Sequence, residues 1–211
     1  MKTFEKWETE DLIVSFNLVE NPKSAILKSW IDVKIPISDT VKIELDEIKE
    51  ELQDSSEFYN EEELKLFVIS RLLNLIKLKG HNYRTFAERT INAKIEGIDM
   101  RGRVELIVAM GIQKPRIPFF FIHEYKPEIK QNNDPRGQLL AAMLTAQELN
   151  NHQFPILGCY VIGKNWRFVT LENKEFSVSK AYESSRDDIF HIYMILMEAK
   201  ERITKLIKEI Q

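Results

Sequence analysis

Two acidic residues and a lysine stand at strand-like spacing in the middle of the chain. Gly102-Arg-Val-Glu-Leu-Ile-Val-Ala places Glu105 inside an apolar run, and Phe119-Phe-Phe-Ile-His-Glu-Tyr-Lys closes an aromatic and β-branched run on Glu124 and Lys126. In an extended strand residues two apart share a face, so Glu124 and Lys126 point one way while His123 and Tyr125 point the other. A carboxylate and an amine at the end of a buried strand are costly unless they are paired or bind an ion. Glu105, in the preceding strand, can face the same spot. Two carboxylates converging there repel each other unless a cation lies between them, and an all-oxygen ligand set suits Mg²⁺ or Mn²⁺. Such a site can hydrolyse a phosphodiester. A bound cation polarises the phosphoryl group and acidifies water, while the lysine orients or deprotonates that water and offsets the developing charge.

Several elements have to bring these residues together. Asn60 is a good helix N-cap, and Glu63 three residues on completes a capping-box pattern. Leu64, Phe67, Val68, Leu72 and Leu75 then recur at helical spacing, and Gly80 is placed to end the helix. Three strands follow over residues 90–95, 103–109 and 118–126, the last apolar on both faces as a central strand requires. Asp134-Pro135 opens a second helix that runs to about residue 150, with the carboxylate as cap and proline at the first helical position. Residues 155–162 and 166–171 are two more strands, turned by Gly163-Lys164-Asn165. A long C-terminal helix, capped near Ser185, carries Ile189, Ile192, Leu196, Ala199, Ile203 and Leu206. Upstream, residues 1–55 read as a β-rich N-terminal extension, with strands over 12–16, 30–35 and 41–45 and a short helix over 46–53. Residues 56–211 form an α/β core.

This order, with Glu105, the pair Glu124-x-Lys126 and Gln138 in the helix after them, resembles the PD-(D/E)XK nuclease superfamily. The resemblance spans about residues 60–171. It implies an α/β, restriction-endonuclease-like fold, a central mixed sheet flanked by helices. It implies that Glu105, where the family usually carries aspartate, and Glu124 ligate the metal together with the main-chain carbonyl of Tyr125. Lys126 is then the catalytic lysine, and Gln138 supports it and the site. The family's first-helix glutamate falls within Glu61-Glu62-Glu63, and helical phase selects Glu61. The implied activity is Mg²⁺- or Mn²⁺-dependent cleavage of nucleic acid, with DNA the default substrate by family analogy alone. A homodimer is compatible with it. The alternative is a nuclease-fold protein that has lost activity and serves as a binding or structural module.

Bulk properties narrow the setting. The 211 residues are 44% hydrophobic, enough for a packed core, and the net charge is −3. A whole-surface basic field is therefore absent, and contact with a phosphate backbone would fall to local basic loops, for which Lys130, Arg136, Lys164 and Arg167 are the candidates. The charged start and the lack of a long apolar run lead us to expect neither a secretory signal nor a membrane span. The single cysteine, Cys159, forms no internal disulfide, so a reducing cytoplasm is the expected compartment. Cys159 reads as a small buried residue and His123 as a packing residue. There is no Cys/His cluster for zinc, no P-loop and no GxSxG.

Overall fold

Alternating apolar and polar residues from position 83 onward build the longest strands of the molecule. In the computed structural model, which describes residues 2–55, 58–126 and 134–210, they form a mixed sheet with helices on both faces. In chain order the strands are β1 (Lys2–Thr3), β2 (Val19–Glu20), β3 (Tyr83–Ile95), β4 (Ile98–Met110), β5 (Arg116–Lys126), β6 (Ile156–Ile162), β7 (Asn165–Glu172), β8 (Glu175–Val178) and β9 (Tyr182–Glu183). The helices are α1 (Thr9–Phe16), α2 (Ala25–Ile31), α3 (Asp39–Ser55), α4 (Glu61–Leu64), α5 (Ser70–Ile76), α6 (Pro135–Leu149) and α7 (Asp188–Ile210). A π-helical turn, Lys65–Ile69, joins α4 to α5 without a break.

β3, β4 and β5 make an antiparallel meander, and α6 crosses over so that β6 lies parallel to β5. β3 starts seven residues earlier than its sequence pattern predicts. Glu88 adopts a left-handed φ of 52°, which interrupts the alternation that marks a strand. The hairpin from β3 to β4 turns on Glu96 and Gly97, both at positive φ (49° and 87°), between paired Ile95 and Ile98. That is the geometry of a two-residue turn matched to strand twist. The short strands β8 and β9, which the sequence pattern does not reveal, complete the far side of the sheet on β7.

The N-terminal region departs from expectation. It is mainly helical rather than β-rich, with only the two-residue strands β1 and β2. Residues 12–16 look like a strand because they are branched and apolar, yet only Leu12 and Phe16, four apart, are buried, whereas Val14 is exposed. Glu8 and Asp11 close a capping box over that helix. Residues 41–45 are likewise the first half of α3, whose buried stripe is Leu45, Ile48 and Leu52. Burial at helical spacing overrides β-propensity in both places.

Two apolar cores result, one on each face. α2, α3, α5 and α7 cover one of them, around Trp30, Phe121 and Phe168. α1 and α6 cover the other, around Phe4, Ile122 and Leu140. Residues 2–55 thus contribute to both cores. No helix of the described residues is long and apolar enough to cross a membrane.

α6 is held down by that N-terminal segment. The Thr9 amide and hydroxyl donate to the Asp134 cap at 2.7 and 2.5 Å. A methyl group at Gly137 would overlap the Trp7 carbonyl oxygen and lie 2.8 Å from the Thr9 nitrogen. Gly→Ala inside a helix ordinarily stabilises by about 1 kcal/mol. Gly137→Ala should instead destabilise by about 1–3 kcal/mol in urea unfolding, because backbone atoms cannot yield as a side chain would. A gain in stability would mean that residues 7–9 do not rest on α6.

Candidate functional site

The site lies where two neighbouring strands part. The ladder between β4 and β5 ends at the pair Leu106–His123. One step further along the same register, Glu105 and Glu124 stand opposite each other without forming a rung. β1 then takes up pairing with β4 at Met100 and Arg101. On the other edge of β4, the β3 ladder runs from Ala87–Leu106 to Arg89–Val104 and skips Glu88 and Glu105. Glu105 thus sits at a discontinuity on both sides. Val104 accordingly packs into the α6-side core and Leu106 into the opposite one, where strict alternation would keep them together.

Glu124 is fully buried, and Gln138 in α6 donates its amide to Oε2 at 2.8 Å. Among the described residues its other oxygen, Oε1, has no partner, and neither has Oε1 of Gln138. Burial pushes the Glu124 carboxyl well above the ordinary range, against the pull of the Lys126 ammonium, and the nearby charges of Glu105 and Glu61 add to the rise. Gln138 bears on the site as the pattern predicts. It grips the carboxylate, however, and no hydrogen bond joins it to Lys126.

The other charges come from the start of α4. Of the three consecutive acids there, Glu63 closes the capping box with Asn60, and Glu62 is 80% exposed. Glu61 turns inward and accepts from Lys126 at 3.4 Å and from Lys65 at 2.9 Å. Lys65 also lies 2.6 Å from Glu105. Burial favours the neutral amine, but hydrogen bonds to Glu105 and Glu61 overcome it and hold Lys65 more firmly protonated than an ordinary lysine. Lys65 is the site residue that sequence reasoning missed. Its signal is the i,i+4 spacing from Glu61, the ordinary signature of a surface helix pair, and nothing in the chain marks it as turned toward the sheet.

The structure therefore brings together Glu61, Glu105, Glu124, Lys126 and Gln138, and adds Lys65. Tyr125 directs its side chain to the opposite face, where its hydroxyl meets His123 Nδ1 at 2.8 Å and Cys159 Sγ approaches the same nitrogen at 3.0 Å. Burial lowers the pKa of His123 to about 3 and raises that of Cys159. This trio is packing, apart from the cluster. Of the basic loop residues, Arg136 donates to Thr9 and pairs with Glu20, Arg167 donates to the Ser179 carbonyl and Lys164 lies 3.9 Å from Glu183, so each has an internal partner. Lys130 lies outside the described residues.

Among the described residues, no group of three His, Cys, Asp or Glu side chains is close enough to hold a metal ion as it stands. The reason is visible in the ion pairs: the Lys65 ammonium lies between Glu61 and Glu105. The donor chemistry nonetheless suits a hard cation. It is all oxygen, and the orphaned, buried Oε1 of Glu124 is the kind of atom that requires a partner. Compared with protein-family models and with curated proteins, the sequence matches none.

The raised pKa of Glu124 makes a test in metal-free buffer. The folded protein binds this proton more tightly than the unfolded chain does. Stability is therefore lost as pH rises from the ordinary carboxyl value through the folded one. Glutamine imitates the protonated form and avoids that loss. In EDTA, the melting temperature of Glu124→Gln relative to wild type should climb steadily between about pH 4, where a free carboxyl begins to ionise, and neutrality. A difference that stays flat across that range would mean that burial does not oppose ionisation here.

Proposed function

We propose that the chain is a metal-dependent phosphodiesterase of the PD-(D/E)XK type that acts on nucleic acid, with DNA the expected substrate. The observation that carries this reading is Glu124. It is a fully buried carboxylate with one oxygen fixed by Gln138 and the other without a partner among the described residues, two residues from Lys126 on the same strand face and opposite Glu105. The order of elements supports it. A helix, a three-stranded antiparallel meander, a crossover helix and a parallel strand follow one another as a restriction-endonuclease-like core requires.

In this reading Glu105, Glu124 and the Tyr125 carbonyl hold Mg²⁺ or Mn²⁺, with Glu61 beside them. When bound, the ion supplies Lewis acidity and lowers the pKa of water. The chain's own residues do the rest. Gln138 fixes the carboxylate of Glu124 so that Oε1 stays free to bind. Lys126, paired to Glu61 and facing the strand end, orients the attacking water and lends its charge to the phosphorane-like transition state. A second reading, a nuclease fold that binds without cutting, draws on the Lys65 bridge, which already occupies an oxygen of each outer carboxylate.

Two measurements separate them. Lys126→Ala should lower Mn²⁺- or Mg²⁺-dependent DNA cleavage by about 10²-fold or more, as expected for loss of a positioned acid–base or electrostatic group, while circular dichroism stays unchanged. A wild-type protein that cleaves no member of a DNA and RNA panel favours the second reading. Binding of Mn²⁺ to the folded state alone should also raise the melting temperature by several degrees, since ligand at about 100-fold above Kd contributes roughly 2.7 kcal/mol. Glu124→Gln should remove most of that rise.

A further inference from the structure

We propose that Lys65 is the site's resident cation: its ammonium, set between Glu61 and Glu105, stands in for a divalent ion in the metal-free protein and must leave Glu105 before that ion is bound. The inference rests on the metal-site reading above and adds what regulates it.

Glu105 and Glu61 are two of the three carboxylates at the fork, and Lys65 lies within 2.9 Å of an oxygen on each. Without it, two like charges would face each other beside a third, buried one. With Lys65 in place, Glu105 presents to an incoming ion an oxygen already committed to an ammonium. The count of charges gives the same result. Glu61, Glu105 and Glu124 carry three negative charges when all are ionised, and Lys126 with a divalent ion carries three positive ones. Keeping Lys65 in the cluster as well would leave an excess positive charge in a largely buried space, which is unfavourable.

The helix is built to allow the exchange. A π turn begins at Lys65, whose carbonyl accepts from the Ser70 amide five residues on. Such turns insert one residue into a helix, which rotates everything beyond them by about 100°. Glu61 and Lys65 can therefore face the fork while Leu72 and Ile76 beyond the turn still face the core. The way out is also marked. Glu62, on the solvent side, already lies 3.3 Å from the Lys65 amine, so a flexible four-carbon stem can carry the charge outward without leaving it unpaired.

The experiment is calorimetric titration of Mn²⁺ into the metal-free full chain, wild type against Lys65→Met, both checked by circular dichroism. Lys65→Met should bind Mn²⁺ about tenfold tighter or more and melt lower than wild type without metal. A second measurement needs no variant. Acylation of wild-type amines, read residue by residue by mass spectrometry, should modify Lys65 several-fold faster with Mn²⁺ than without. Equal or weaker Mn²⁺ binding by a folded Lys65→Met, or protection of Lys65 by Mn²⁺, overturns the proposal and leaves the metal site standing. Absence of Mn²⁺ binding in wild type and variant alike overturns the metal site together with it.

Discussion

Keeping the Glu124 carboxyl inside the protein with Gln138 as its one side-chain hydrogen-bond partner among the described residues constrains nearly everything around it. An unpaired buried carboxylate oxygen costs free energy of the order of several kcal/mol if charged and less if protonated. A chain tolerates such a group only when packing elsewhere outweighs the cost. Here the packing is supplied on both sides of β5. Ile122 on one face and Phe121 on the other are fully buried in separate cores, so the strand has no freedom to rotate Glu124 toward water. The strain is local and directional: one oxygen is held by Gln138 and the other is left open.

Gln138 can grip Glu124 only if α6 sits at a fixed height over the sheet, and that height is set by residues far away in the chain. Burial opposes ionisation of the Asp134 cap, but hydrogen bonds from Thr9 overcome it and keep the carboxyl below the usual carboxylate range. The neighbouring glycine lets the Trp7–Thr9 backbone lie against the helix. Phe4 occupies the space above Gly102 in β4, three residues before Glu105. The N-terminal segment thus braces both strand and helix of the site. It is part of the positioning apparatus, and the division of the chain into extension and core describes sequence order better than it describes packing.

What could be read from the chain follows from how local each signal is. The α6 start is written in Asp134-Pro135, and β5 in an unbroken apolar run; both were legible. The pairing of Glu124 with Lys126 on one face follows from strand period alone, and Glu61 over its two neighbours from helical phase. Helix α1 and the first half of α3 were illegible because β-branched residues fill positions that tertiary burial turns into helical stripes, whereas the second half of α3 was legible as a short helix. Lys65 was illegible for a different reason. Its partner at Glu61 is local and ordinary, whereas Glu105, the partner that makes it part of the site, is 40 residues away. No periodicity encodes a contact of that separation. The discontinuity at Glu88 and Glu105, which opens the fork, is a backbone event at a non-glycine residue and leaves no compositional mark.

The fork explains why acids and lysines gather at this place. Where β4 and β5 run together, their polar main-chain groups satisfy each other and side chains on each face are packed. Where they part, before β1 takes over, backbone and side chains at one level of the sheet are released from the ladder. A gap of that kind can be filled with apolar side chains or with charges that compensate one another. Charges can compensate in two ways, by a tethered ammonium, as Lys65 does between Glu61 and Glu105, or by a diffusible ion, as the proposed metal site would require. An ammonium on a flexible stem bonds to one or two oxygens at a time and reverses easily, whereas a divalent ion gathers several oxygens at once and fixes their geometry. In the fork as it stands, Glu61 and Glu105 are therefore held together by the ammonium of Lys65. Its replacement by a divalent ion is the step that would convert stored carboxylates into an organised site, leaving Lys126 as the one ammonium positioned to act on a phosphodiester.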